Sequence, residues 1–159
     1  MTATETVENY LDSNKVQFVH RKHEAAATAH QVAVKEHIPD HEVAKTVVFH
    51  AGSGFGMAVL PADCDIDFME LCNKLGTAKV RLATEEELAA IFPDSETGAM
   101  PPFGNLYAIP VFLDRRLAED AVVIAFNAGT HRDVIYIGTE DYRRLVNPFV
   151  FSFSRCKAS

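Results

Sequence analysis

Val43-Ala-Lys-Thr-Val-Val-Phe49, then Ala51-Gly-Ser-Gly54, then Phe55-Gly-Met-Ala-Val-Leu60 is the stretch on which the fold turns. The first run is apolar and β-branched, which suits a buried strand. The glycines supply the positive φ of a turn, and a second apolar run follows, so the three pieces read as a hairpin.

Upstream, Val7, Tyr10 and Leu11 share one helical face, predicting a short helix over about residues 4 to 13. Val16 to His20 reads as a short strand, and Ala25 to Glu36 as a weak helix ended by Pro39. Downstream, Asp67 with Glu70 opens a helix carrying Phe68, Leu71, Cys72 and Leu75, and Gly76 stands where a C-cap glycine belongs. Thr84 with Glu87 is a second capping box, closed by Pro93. Ile109 to Leu113, Ala121 to Phe126 and Val134 to Ile137 read as strands. Thr139 is expected to cap a last helix carrying Tyr142, Leu145 and Val146, stopped by Pro148. Strands and helices mix without strict βαβ alternation, which predicts an α+β domain with a central, mostly antiparallel sheet flanked by helices.

The 159 residues fit one domain, 1–159, long enough to bury a core without disulfide or metal staples. Hydrophobic residues at 48% and charged residues at 23% exclude a disordered chain or a fibre. The 22 acids against 15 bases leave a net charge of −7, which argues against a protein that coats nucleic acid or binds membranes through a basic patch. No stretch approaches the ~20 apolar residues of a membrane span. The start of the chain lacks the basic and apolar regions of a secretory leader. Cys64, Cys72 and Cys156 show no CxxC spacing and resemble neither a disulfide framework nor a zinc ribbon. A reducing, cytoplasmic setting is therefore expected.

Three features sit oddly in this frame. Lys45 lies inside an apolar strand, where an ammonium needs water, a partner or an anionic ligand; a lysine that guards a strand edge against aggregation is the plainer alternative. Gly98-Ala-Met-Pro-Pro-Phe-Gly104 is a stiff, sharply turned loop able to aim backbone groups at a ligand, or simply a rigid connection. Asn127-Ala-Gly-Thr-His131 places small and hydrogen-bonding residues and a histidine at a strand end, where functional groups often sit, or forms an ordinary turn.

Six of the seven histidines crowd His20 to His50, but Pro39 separates His37 from His41 and no HExxH occurs, so surface histidines are expected rather than a metal site. No phosphate-binding glycine loop, GxSxG elbow or cysteine nucleophile motif is present. No cofactor and no metal are expected.

In order, AKTVVF, GAMPPFGN and FNAGTH resemble the YbaK/prolyl-tRNA-synthetase-associated domain family, which includes free-standing aminoacyl-tRNA deacylases and the editing domain inserted in bacterial prolyl-tRNA synthetases. The likeness covers roughly the whole chain, with the specific motifs between Lys45 and His131. It implies an editing-domain fold and hydrolysis, in trans, of the ester that joins an amino acid to the end of a mischarged tRNA. It also implies a tRNA partner held by its 3′ aminoacyl end, an aminoacyl-tRNA synthetase as a second partner, and no membrane. Carried onto this chain, Lys45, Gly98, Pro102 and His131 are the expected catalytic residues. Thr46, Ala99, Met100, Pro101, Phe103, Gly129 and Thr130 are the expected substrate-binding residues. Thr46 stands where the alanyl-tRNA-clearing branch usually carries asparagine, as in the cysteinyl-tRNA branch, so the amino acid removed stays open.

Under that resemblance Lys45 would meet phosphate or ribose oxygens, the backbone from Gly98 to Pro102 would polarise the ester carbonyl, and His131 would position substrate or water. The competing expectation is a binding module without catalysis, taking an aminoacyl-adenosine-like molecule or a tRNA end, or serving as a partner of a synthetase. Arg21, Lys22, Arg115, Arg116, Arg132, Arg143 and Arg144 could supply a cationic tRNA surface if the fold gathers them.

Overall fold

The computed structural model describes residues 1–52 and 54–157. Along the chain run helix α1 (Ala3–Ser13), strand β1 (Phe18–Lys22), α2 (Ala29–Glu36), β2 (Ala44–Ala51), β3 (Gly54–Pro61), β4 (Cys64–Ile66), α3 (Phe68–Leu75), β5 (Val80–Leu82) and α4 (Glu85–Ile91). There follow β6 (Val111–Asp114), α5 (Arg115–Asp120), β7 (Val123–Asn127), β8 (Asp133–Gly138), α6 (Thr139–Val146), β9 (Phe149–Phe151) and β10 (Ser154–Cys156).

The predicted hairpin is the spine: β2 and β3 pair antiparallel from Ala44 opposite Pro61 to Ala51 opposite Gly54. Gly52 takes φ +59° in the turn, and Ser53 lies outside the described residues. The hairpin sits in a five-stranded sheet ordered β5-β2-β3-β6-β9, beside a three-stranded sheet β1-β8-β7 and the small pair β10-β4. Five of the seven pairings are antiparallel; β3 with β6 and β6 with β9 are parallel. The α+β expectation therefore holds, with a parallel half to the main sheet that the sequence pattern did not signal.

Alternation along β2 feeds two cores. Ala44 and Val48 pack with Met57, Val59, Phe103 and Phe126, whereas Phe49 packs with Ala58, Leu60, Leu71 and Phe153. A third, smaller core joins α2 to the sheets through Val32, Ala33, Val43, Ala125 and Val134. Helix ends follow local chemistry. Asp67 accepts the Glu70 N–H, Gly76 closes α3 at φ +68°, and Thr84 with Glu87 forms a complete capping box.

Two expectations change. Thr139 does not cap α6: Gly138 holds the cap position, and the Thr139 hydroxyl is buried without a partner. Cys64 and Cys156, expected as separate thiols, are joined as a disulfide 92 residues apart, because β4 and β10 set them directly opposite each other. Long-range strand register makes that pair, and spacing along the chain does not reveal it. Cys72 stays free. No helix among the described residues is long and apolar enough to cross a membrane.

Candidate active site

The cavity of interest opens where two strands part. Val43 forms a parallel bridge with Ala125, tying the start of β2 to β7, after which the strands diverge. Farther along the same edge β5 reaches only Phe49 to Ala51, and the Ala83 N–H takes the Val48 carbonyl. Between these two points the edge of β2 is open. Peptide groups alternate sides along an antiparallel strand. The Val43 carbonyl faces β3's end, where it accepts the Ala62 N–H, and the Val48 carbonyl faces β5. The N–H and C=O of Thr46 therefore face the gap.

A cavity of about 310 Å³ fills this gap. Lys45, Thr46 and Val47 form one wall, Gly98 and Met100 a second, and Asn127 stands at the end of β7. Ala27 to His30 close it from the start of α2, with the positive end of that helix toward the cavity. Thr28 caps the helix, its hydroxyl accepting the Gln31 N–H. The Lys45 ammonium donates to Asp65 Oδ1 at 3.2 Å. The Asp65 side chain is 85% exposed, so this partner is readily exchanged for another anion.

Facing β2 is a tightly bonded frame. The Ala99 N–H donates to Glu96 O, Gly98 N–H points at Met100 Sδ, and the Gly129 N–H donates to Ala99 O. Glu96 returns the bond through its own N–H to Gly129 O, and its carboxylate accepts the His131 N–H. Both ring nitrogens of His131 meet backbone carbonyls, Nδ1 with Ala26 O at 3.1 Å and Nε2 with Thr97 O at 2.9 Å. A neutral ring can donate to only one of these; the imidazolium satisfies both. His131 thus ties together the two segments, 26–30 and 97–100, that wall the cavity.

Of the expected site residues, Lys45, Thr46, Gly98 and Met100 meet at the cavity. The others lie around it. Pro101, Pro102 and Phe103 are buried in the core, where Tyr142 donates to Pro102 O at 2.5 Å and Phe103 makes edge contacts with Tyr10, Phe126 and Tyr142. Burial pushes the Tyr142 phenol well above its ordinary range, so it remains a donor to that carbonyl. Ala99 is fully buried in the frame. Gly129, at φ +95°, lies against Ala3.

Thr130 donates to Asp133 and accepts the N–H groups of Arg132 and Asp133. Burial works to raise the Asp133 carboxyl, but hydrogen bonds from Thr130 and His20 outweigh it and hold the group below its ordinary value. Thr130 and Asp133 therefore stabilise the turn rather than face the cavity.

Sequence reasoning missed Asn127 as a site residue. Its side chain makes no hydrogen bond among the described residues, and its Oδ1 is buried without a partner, at a cost of about 1–3 kcal/mol. It lay inside a singled-out motif, but only the divergence of β7 from β2 reveals that it lines the same cavity as Lys45 and Thr46. The start of α2 was missed as well, having no local signal.

The predicted cationic residues are scattered. Arg21, Arg115 and Arg144 pair with Glu36, Glu119 and Asp141. Lys22 and Arg132 are exposed at the end of the β1–β8 pair, where the His23 N–H bonds Arg132 O, close to the segment that walls the cavity. No three metal-ligating side chains cluster among the described residues.

Residues 23–145 match the model of the aminoacyl-tRNA editing domain, and the chain belongs to that family. Among curated relatives, the proline–tRNA ligase of Heliobacterium modesticaldum is 32% identical over 134 residues, covering 76% of this chain and 23% of the ligase. The multifunctional Ser/Thr-tRNA deacylase ProXp-y of Escherichia coli K12 is 31% identical over 99 residues, covering 62% of this chain and 59% of the deacylase. The chain thus spans less than two thirds of the length of either relative. Among solved structures, one provisionally described as a trans-editing enzyme for prolyl tRNA synthetase superposes with a TM-score of 0.83, covering 98% of both chains at 19% identity, which establishes a shared fold.

Proposed function

We propose that this chain is a free-standing, single-domain deacylase that hydrolyses the ester of mischarged tRNA, as a proofreading step. The observation that carries the reading is the meeting of Lys45 with the open edge of β2 over one small cavity, in a chain of the editing family. Ala27, Ala29, Ala44 and Ala62 leave room for a small aminoacyl group. A relative named for Ser/Thr-tRNA supports substrates of that size. Proofreading of small amino acids has a physical motive, since one methylene is worth only about 1–3 kcal/mol of discrimination in a binding pocket.

Lys45 exchanges Asp65 for a phosphate of the terminal nucleotide, a charge-assisted contact. No serine or cysteine lines the cavity among the described residues, which favours attack by water or by a substrate hydroxyl. His131, held at both ring nitrogens, is a positioning residue in this reading. Pro102 and Phe103 anchor the loop from behind. A synthetase partner is a further part of the proposal, supported by the proline–tRNA ligases that carry a similar segment.

The test is a deacylation panel of Ala-, Cys-, Ser- and Thr-tRNA with wild type and Lys45→Ala. Loss of the phosphate contact is expected to lower deacylation by about 100-fold. Thermal stability should be unchanged, because Lys45 bonds only an exposed carboxylate. Wild-type rates in Lys45→Ala would overturn the assignment of Lys45. Silence of the wild type across the panel would favour a binding module.

A further inference from the structure

We propose that Asn127 is a catalytic residue of this site, its carboxamide N–H donating to the ester carbonyl oxygen as that atom becomes an oxyanion; the proposal rests on the deacylase reading above. Counting two residues on from the Val43/Ala125 bridge brings Lys45 and Asn127 to the same level on opposite arms of the fork. Both line the cavity.

The backbone around Asn127 is fixed. Asn127 pairs with Val134, the Ala128 N–H donates to Asp133 O, and the Ala128 carbonyl accepts the Thr4 hydroxyl. The side chain makes no hydrogen bond among the described residues, and the Asn127 peptide, at a non-hydrogen-bonded position of the β7–β8 pair, faces the gap as well. Its Oδ1 is sealed off without a donor, which leaves the amide nitrogen as the polar end facing the cavity. A rigidly mounted donor with nothing to bond suits a charge that exists only in the transition state.

Several other candidate donors are committed elsewhere. Ala99 N–H is held by Glu96 O, Gly98 N–H lies against Met100 Sδ, and both nitrogens of His131 face carbonyls. The loop expected to polarise the carbonyl is therefore largely bonded to itself. Two of the donors left on the walls, the Asn127 amide and the Thr46 N–H on the open strand edge, come from two strands across one gap; the first N–H groups of α2 and the Lys45 ammonium stand beside them. In the reaction, the oxygen of water adds to the carbonyl carbon and the C=O electron pair moves to oxygen, where Asn127 holds it. Collapse restores C=O and expels the ribose oxygen, which leaves with a proton from the water. One water is consumed, and a free amino acid and a tRNA hydroxyl result.

The experiment measures kcat and KM on every aminoacyl-tRNA that the wild type hydrolyses, together with binding of an amide-linked, non-hydrolysable aminoacyl-adenosine. Asn127→Ala is expected to lower kcat about 100-fold on all of them alike, with KM and analogue binding within about threefold of wild type. Asn127→Asp keeps the shape but ordinarily only accepts hydrogen bonds, and should be no better than Asn127→Ala. A kcat within about threefold of wild type in either variant would overturn the proposal, since oxyanion donors are worth far more than that. So would an effect confined to one amino acid, or loss of analogue binding in step with activity. A wild type that hydrolyses nothing would overturn the deacylase reading and this assignment with it. An active wild type with an indifferent Asn127→Ala would overturn this assignment alone.

Discussion

Along β2 and the end of β7, the cavity wall keeps its polar groups unbonded or lightly held: the Thr46 peptide at an open edge, the Asn127 carboxamide, and the Lys45 ammonium on an exposed carboxylate. Across the gap, Glu96 to Met100 and Gly129 to His131 bond mainly to one another. The first wall can meet a ligand without breaking anything. The second can hold its shape without one. A site for a small aminoacyl ester needs both, because a donor counts in catalysis only if it is already placed when charge develops. The three sequence motifs thus divide by task. AKTVVF lines the cavity, GAMPPFGN is mostly anchor, and FNAGTH splits, with its asparagine on the ligand side and its glycine, threonine and histidine in the frame.

Breaking the frame should have the largest effect on the fold. Gly129 sits at φ +95°, and an added Cβ would overlap the Cβ of Ala3 in α1. Gly129→Ala is expected to destabilise the protein by about 3 kcal/mol, summing a left-handed backbone penalty and local overpacking. Chemical denaturation checks this. An unchanged midpoint would mean that α1 yields easily and that the frame is softer than its bonding suggests.

His131→Ala sharpens the contrast between frame and ligand wall. A neutral ring donates to one of its two facing carbonyls, a hydrogen bond of about 1 kcal/mol. Stability should fall by about that much, and KM should rise more than kcat falls, because segments 26–30 and 97–100 lose their common tie. A general base would behave in the opposite way, with stability intact and kcat reduced about 100-fold or more. Parallel denaturation and steady-state kinetics separate the two roles.

The frame was more legible in the sequence than the chemistry. Strong local signals, such as the β-branched run from Val43, the Thr84–Glu87 capping box and Gly76, predicted elements because each needs only neighbours along the chain. Strands β4, β5, β9 and β10 have three residues each, too few for periodicity to register. The parallel half of the sheet, the Cys64–Cys156 pair and the fork between β2 and β7 all depend on long-range register. Lys45 was legible because a charge in an apolar strand is conspicuous. Asn127 was not, because an asparagine two residues before a glycine is what an ordinary turn would carry. His131 drew notice for its chemical type, and in the structure both its ring nitrogens face backbone carbonyls.

The smallest expected effect tests how lightly the ligand wall is held. Asp65 is the only partner of the Lys45 ammonium among the described residues, and its side chain is 85% exposed. Exposed pairs contribute little to stability, so Asp65→Asn should leave the unfolding midpoint in place. It should, however, remove a carboxylate that competes with phosphate for Lys45. KM for a hydrolysed aminoacyl-tRNA is therefore expected to fall by about twofold at low ionic strength, with the difference fading as salt screens the site. kcat should not change. A lower kcat in Asp65→Asn would mean that the carboxylate aims the ammonium instead of only occupying it, and the Lys45 end of the wall would then be preorganised by its own ion pair.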